Sequence, residues 1–204
     1  TIIEEQIRQS LFGLLCFWQD RQKDMVFRMN YTKLTNNLID LVKEEQAKLG
    51  YRKEAIRLYY PLSSLQHILG TTDSAEQLIE KLQKEANFAK DSLGTLDISC
   101  QNERFCIGIP VDGSEWVHDH MQPAEFIVSL VDLVSRHGCT MEDIFALFRA
   151  QEQPVEIKQI KGGEFDYRIR FLEGDDPYYY CFKDEEIHII YHRFLPEDYE
   201  DFNF

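Results

Sequence analysis

The sequence predicts an α+β protein that ends in a helical hairpin packed on a C-terminal antiparallel β-meander. Three observations predict it. Apolar residues recur at helical spacing in runs that stop at Gly50, Gly70, Gly94 and Gly138, the punctuation of helix ends. From residue 154 the period changes to two, in four short segments separated by polar turns, which marks antiparallel strands. Between these blocks, "TLDISC" and "RFCIGIP" flank the polar turn "QNE", the pattern of a hairpin.

Taken in order, residues 1–30 open the chain with apolar positions 3, 7, 11, 14, 15 and 18 on one face of an expected helix. That face suits docking on the domain or on another copy, so a homodimer through residues 1–30 is an expectation. The run "LFGLLCFW" (11–18) follows Glu4 and Glu5, the wrong charge for a signal peptide. It is also too short for a bilayer, which needs about 20 apolar residues. Met29 is an alternative start. "YTKLTNNLIDLVKEEQAKLG" then reads as a helix stopped by Gly50, and "EAIRLYY" as a strand with Ile56, Leu58 and Tyr60 on one side. Pro61 suits the first turn of a helix that ends at Gly70. Residues 74–93 form the next helix, with Asp73 and Glu76 as its capping box. The hairpin strands follow.

This order over residues 32–110 (helix, strand, helix, helix, strand, turn, strand) resembles a winged-helix domain. The expected division is therefore an N-terminal helix (1–30), a winged-helix-like domain (31–113) and an α+β domain (114–204). In the last, "PAEFIVSLVDLVSRHG" and "TMEDIFALFRA", capped by Thr140, form the hairpin that covers the sheet. "VEIKQI", "EFDYRIRFL", "YYYCFK" and "IHIIYHRF" form the meander, and "LPEDYEDFNF" reads as a tail.

Charge narrows the function classes. The net charge is −14, which repels phosphate backbones and anionic membranes. Residues 114–204 carry twenty acidic against eight basic side chains, so −12 of the −14 lies there. Nucleic-acid and membrane partners are accordingly not expected. Cys16, Cys100, Cys106, Cys139 and Cys181 are odd in number and show no Cys-x-x-Cys pair. That argues for reduced thiols in a cytoplasm, with Cys100 and Cys106 the one pair close enough in sequence to oxidise.

The densest cluster of chemistry-bearing residues is "SEWVHDH" (114–120). Gly113, His118, His120 and Glu125 resemble the first motif of the metal-binding cupin barrel. The gap after the glycine is one residue short, Asp132 stands where that motif closes on glycine, and no second motif follows. With Ser114 as N-cap the stretch reads as helical. The two histidines then point about 200° apart and cannot chelate together, so no metal site or cofactor is nominated. "VDG" (111–113) and "EIK" (156–158) resemble the carboxylate-and-lysine pattern of metal-dependent nucleases, which needs both carboxylates on adjacent strands. The expected recognition helix 74–93 carries Glu76, Glu80, Glu85 and Asp91 against Lys81, Lys84 and Lys90, a poor face for DNA.

The meander offers the best binding face. Phe165, Tyr167, Ile169 and Phe171 share one side, and Asp166, Arg168 and Arg170 the other. With the core sides matched, Arg168, Arg170, His188 and His192 share one open face, within two strand spacings of about 9.6 Å. Such a cationic, aromatic face suits an acidic peptide, a protein partner or a small anion. The chain thus reads as a non-catalytic interaction or regulatory module. A winged-helix DNA-binding regulator and a metal-dependent hydrolase or nuclease are the rival expectations.

Finally, "NLIDLVKEEQAKLGYRKEAIRLYYPLSSL" and "EIHIIYHRFLPEDYEDF" resemble a family of uncharacterised Firmicutes proteins that share a domain of unknown function. The resemblance covers residues 31–204. It implies a bacterial cytoplasmic protein and brings no activity or site residues.

Overall fold

The structure, a computed structural model, describes residues 31–174 and 176–201. The expected N-terminal helix, its route to a homodimer and Cys16 lie outside the described residues. Residues 31–49 are helical (α1). β1 (Ile56–Pro61), α2 (Leu62–Leu69), α3 (Ala75–Lys84), α4 (Lys90–Leu93), β2 (Asp97–Gln101) and β3 (Arg104–Ile109) follow. β1 and β2 both pair antiparallel with β3, giving the order β1-β3-β2. Next come α5 (Val111–His120), α6 (Phe126–Val134) and α7 (Met141–Arg149). β4 (Val155–Gln159), β5 (Tyr167–Phe171), β6 (Tyr179–Asp184) and β7 (Ile189–Phe194) form a four-stranded antiparallel meander in chain order. α8 (Pro196–Asp201) closes the described chain. The protein is α+β with two antiparallel sheets, the second a meander.

Local chemistry accounts for most boundaries. Leu34, Leu38 and Val42 of α1 are fully buried on one stripe, and Gly50 ends the helix in a left-handed conformation. The hairpin turn is tighter than expected, because Gln101 joins β2 opposite Arg104. Only Asn102 and Glu103 remain, both with positive φ (51° and 59°), as a two-residue type I′ turn requires. The Glu103 carbonyl accepts the Leu62 N–H at 2.9 Å, so the hairpin tip is tied to the open N–H groups at the start of α2.

Several expectations are corrected. The cap of α3 is Ser74 with Gln77, in a reciprocal box; Asp73 instead binds Lys81 at 2.6 Å. Helix 74–93 is interrupted at residues 85–89, where the Ala86 carbonyl leaves the helix ladder to accept the Leu96 N–H. Ser114 is not an N-cap: α5 starts three residues earlier behind Pro110, and Ser114 is buried within it. The Ser135 hydroxyl donates back to the Val131 carbonyl, which helps α6 end at Val134 rather than 137. The expected tail is the helix α8, with Pro196 at its first position and Glu197 and Asp198 in its first turn. Cys100 and Cys106 sit opposite Phe105 and Ser99, hence on opposite faces of the sheet, and do not pair.

One core runs through the described chain, from Leu34 and Leu38 through Phe105 and Ile107 to Phe148, Tyr180 and Phe182. The helical hairpin covers the inner face of the meander: Phe126 meets Phe171 and Tyr180 edge-on, and Phe148 meets Phe182. α5 reaches the first part through Gly113. A Cβ there would stand 2.3 Å from the Leu93 carbonyl oxygen, so only glycine lets α4 and α5 approach this closely.

Candidate functional site

His118 and His120 serve different neighbours. His118 stacks on Tyr51 with ring centres 4.1 Å apart. His120 stacks on Trp116, also at 4.1 Å, and its Nδ1 lies 2.7 Å from the Trp116 carbonyl. Glu115 binds Lys53 at 3.2 Å. Among the described residues no group of three His, Cys, Asp or Glu side chains is placed to hold a metal ion. The nuclease pattern does not assemble either. Asp112 lies in the first turn of α5 and Glu156 in β4 of the second sheet, so the two carboxylates are not on adjacent strands.

The outer face of the meander brings charge together. Cross-strand register places Glu156 opposite Arg170, Lys158 opposite Arg168, Arg168 opposite Cys181, and Cys181 opposite His192. Arg170 Nε reaches Glu156 Oε2 at 2.8 Å, and Arg168 Nη2 reaches the same oxygen at 3.6 Å. The Arg168 guanidinium lies 4.3 Å from the Tyr179 ring centre and 5.4 Å from that of Tyr199, a cation–π arrangement. Arg168 is therefore held firmly and is only 16% exposed, while Arg170 keeps 38%. Lys158 is exposed and directly faces a like charge, an arrangement that destabilises a ladder. Two arginines thus share one carboxylate, and Lys158 adds a third cation to the same face.

This face is not open along its whole length. Phe165, expected on the core side, packs instead with Cys181 and Tyr199 in a second cluster that covers the β6–β7 half. Phe165 precedes β5, so strand alternation does not fix its direction. Tyr199 comes from α8, which also reaches α2 through Asp198 with Ser64 and Glu197 with His67. Burial pushes the Cys181 thiol up to about 12, against the opposing pull of Arg168. His192 lies at the rim, beside Phe165 and Phe194. His188 lies elsewhere: it precedes β7, is 62% exposed and pairs with Glu185. It stands four positions before His192, about 13 Å along a strand. The structure brings Arg168, Arg170 and His192 together with Lys158, and leaves His188 apart.

The most heavily charged interior point was not singled out in the sequence. Arg193, 2% exposed, points to the core side of β7 and pairs with Asp40 and, at 2.5 Å, with Glu44 of α1. Its guanidinium lies over the Tyr178 ring at 4.2 Å. Tyr60 donates to Asn37 at 2.8 Å, and Asn37 donates to the Tyr178 hydroxyl at 2.5 Å. Burial raises the Glu44 carboxyl, yet Arg193 and Lys48 together hold it below its ordinary value. The signal was in the alternation: Arg193 shares the parity of Ile189 and Tyr191. These bonds join α1 to the meander and leave Arg193 no outward reach, so this cluster builds the molecule rather than binding a ligand.

No helix of the described residues is long and apolar enough to cross a membrane. Comparison with curated proteins and with solved structures found no match in either. Residues 31–203 match the family described as "Domain of unknown function, E. rectale Gene description (DUF3877)". That match spans the fold from α1 to α8, together with the cationic face and the Arg193 cluster, and the chain belongs to this family.

Proposed function

We propose that the protein is a non-catalytic interaction module of the bacterial cytoplasm that recognises an acidic segment or small anion on the outer face of its meander. One observation carries the reading: Arg168 and Arg170 share the carboxylate of Glu156, with Lys158 opposite Arg168 on the same face of the sheet. They do so in a region where acids outnumber bases twenty to eight. Concentrating cations on one face of an acidic body has an electrostatic cost that a bound anion relieves. Arg170 supplies a half-exposed planar fork suited to carboxylate. His192 lies at the rim, and His188 belongs to the site only for a ligand long enough to reach the 185–188 turn.

The first part supports this role as a frame. We take residues 31–113 as winged-helix-like, on the chain order α1-β1-α2-α3-β2-β3 and the sheet order β1-β3-β2. The features that would grip DNA are weak: Lys81 on α3 is engaged by Asp73, and the hairpin tip is tied to Leu62.

Calorimetric titration with a hexaglutamate peptide and with inorganic phosphate tests the reading. Binding should weaken with salt and fall about tenfold in Arg170→Gln, as loss of a charge-assisted bond implies. No binding at low ionic strength, or equal binding by the variant, would overturn it. Salt-dependent binding of duplex DNA in a gel shift would favour the regulator reading instead.

A further inference from the structure

β4 is the edge strand of the meander, paired with β5 on one side and with no other described strand. Two flanking hydrogen bonds fix which way its backbone groups turn. The Leu172 N–H donates to the Pro154 carbonyl at 2.9 Å, and the Ile160 N–H to the Asp166 carbonyl at 2.8 Å. Such bonds alternate along an antiparallel ladder. Even-numbered residues therefore face β5, while Val155, Ile157 and Gln159 turn their N–H and C=O groups outward. Val155 and Ile157 are only half-buried. This is an unfilled edge, of the kind proteins normally pair or block.

Its side chains complement themselves. A second β4 laid antiparallel about a two-fold axis at Ile157 sets Val155 opposite Gln159 and Ile157 opposite Ile157. It also sets Glu156 opposite Lys158, twice. Backbone parity agrees with this register: the pairs 155–159 and 157–157 use the outward groups. Glu156 and Lys158 then meet at the position without hydrogen bonds, where side chains come closest. Centres at residues 156 or 158 use the same outward groups but set Glu156 opposite Glu156 or Lys158 opposite Lys158, so like charges would meet. Centres between residues would pair outward groups with groups that already face β5. Within its own chain Lys158 faces Arg168; across the axis it meets a carboxylate.

We infer that the protein forms a two-fold homodimer by β4–β4 pairing, joining two four-stranded meanders into one continuous sheet. The interface is isologous, as a closed dimer requires. It does not rest on the ligand reading above, although Glu156 and Lys158 of β4 belong to both surfaces. The pairing leaves the net charge of each half unchanged, so the two cationic faces lie side by side.

Sedimentation equilibrium of the full chain, with hydrogen exchange followed by mass spectrometry or NMR, tests this. The expected result is a dimer in which the outward amides of Val155, Ile157 and Gln159 are protected, increasingly so with concentration. Gln159→Pro removes one outward donor and leaves the β5 ladder intact; it should abolish the dimer. Lys158→Glu should weaken it about tenfold or more while leaving the fold of the monomer intact, since the introduced carboxylate would face Arg168. A monomer at near-millimolar concentration overturns the proposal. So does a dimer that survives both substitutions, which would assign association to another surface such as residues 1–30. Should either variant misfold, the amide protection of the unaltered chain decides: fast, concentration-independent exchange at these three positions overturns the pairing.

Discussion

Arg193 shows how much a single buried charge can govern. Its ionised side chain has lost water on every side and is compensated by Asp40, Glu44 and the Tyr178 ring. Such a cluster is neutral on balance as a source of stability, but deleting one member leaves the others uncompensated, at about 3–5 kcal/mol. Arg193→Ala should therefore lower unfolding stability by about that amount in urea titrations. Asp40→Asn should cost less, because Asp40 remains 37% exposed and water can replace part of the pairing. Protonation gives a second test at this scale. Burial raises the Cys181 thiol from 9.0 and the Tyr178 hydroxyl from 10.0, each to about 12. Both groups hold their protons more tightly in the folded chain than in the unfolded one. Their stabilising contribution is complete below pH 9 and is lost as pH rises through the window from 9.0 to about 12. Urea midpoints at neutral pH and above about pH 10 should show this decline, and Cys181→Ala should shallow it; an equal slope in the variant would remove the thiol from the explanation.

At the scale of elements, the β2–β3 turn carries visible strain. Asn tolerates the left-handed conformation, whereas Glu103 holds φ at 59° with a full side chain, at about 1 kcal/mol or more. Glu103→Gly keeps the carbonyl that accepts the Leu62 N–H and removes the strain, so the melting temperature should rise by a few degrees. A fall would show that the glutamate side chain, not the backbone, stabilises the turn. The tightness of this turn was hidden in the sequence, where "QNE" spans one residue too many; only the pairing of Gln101 with Arg104 assigns it. Elements with a strong period and a clear stop were readable: α1 to Gly50, α2 behind Pro61, α7 behind Thr140, and the four meander strands. α8 was not, because six residues with one buried aromatic, Tyr199, carry no helical period. Its order comes from Ser64, His67 and Tyr179, which are distant in sequence. The cationic face was half-readable for a related reason. Strand parity puts Arg168, Arg170 and His192 together, but the register that adds Lys158 and the helix that covers Cys181 are tertiary facts.

Over the whole molecule, the uneven charge of the two halves is plain in the sequence, while the way they are joined is not. A boundary drawn between residues 113 and 114 falls inside α5, a continuous helix. Buried residues of α1, β1 and β3 share one cluster with those of α6, α7 and the meander. Polar links cross between the halves at several points, among them Arg193 to α1, Asn37 to Tyr178, Lys43 to Glu125, Gln46 to Ser114, and α8 to α2. Neither half can open without exposing apolar surface of the other, and exposing Arg193 or Asp40 alone strands a charge. This coupling predicts a single cooperative transition rather than two. In urea, near-ultraviolet signals from Trp116 at the α5 junction should trace the same midpoint as far-ultraviolet ellipticity, which reports helices of both halves. The denaturant slope should match the surface of the whole described chain rather than of one part. Two separated transitions would mean that the contacts across α5 are too weak to couple the halves. In that event Arg193→Ala, which cuts a link between α1 of one half and β7 of the other, should move the two transitions further apart, and the cationic face could respond to a ligand without informing the first sheet.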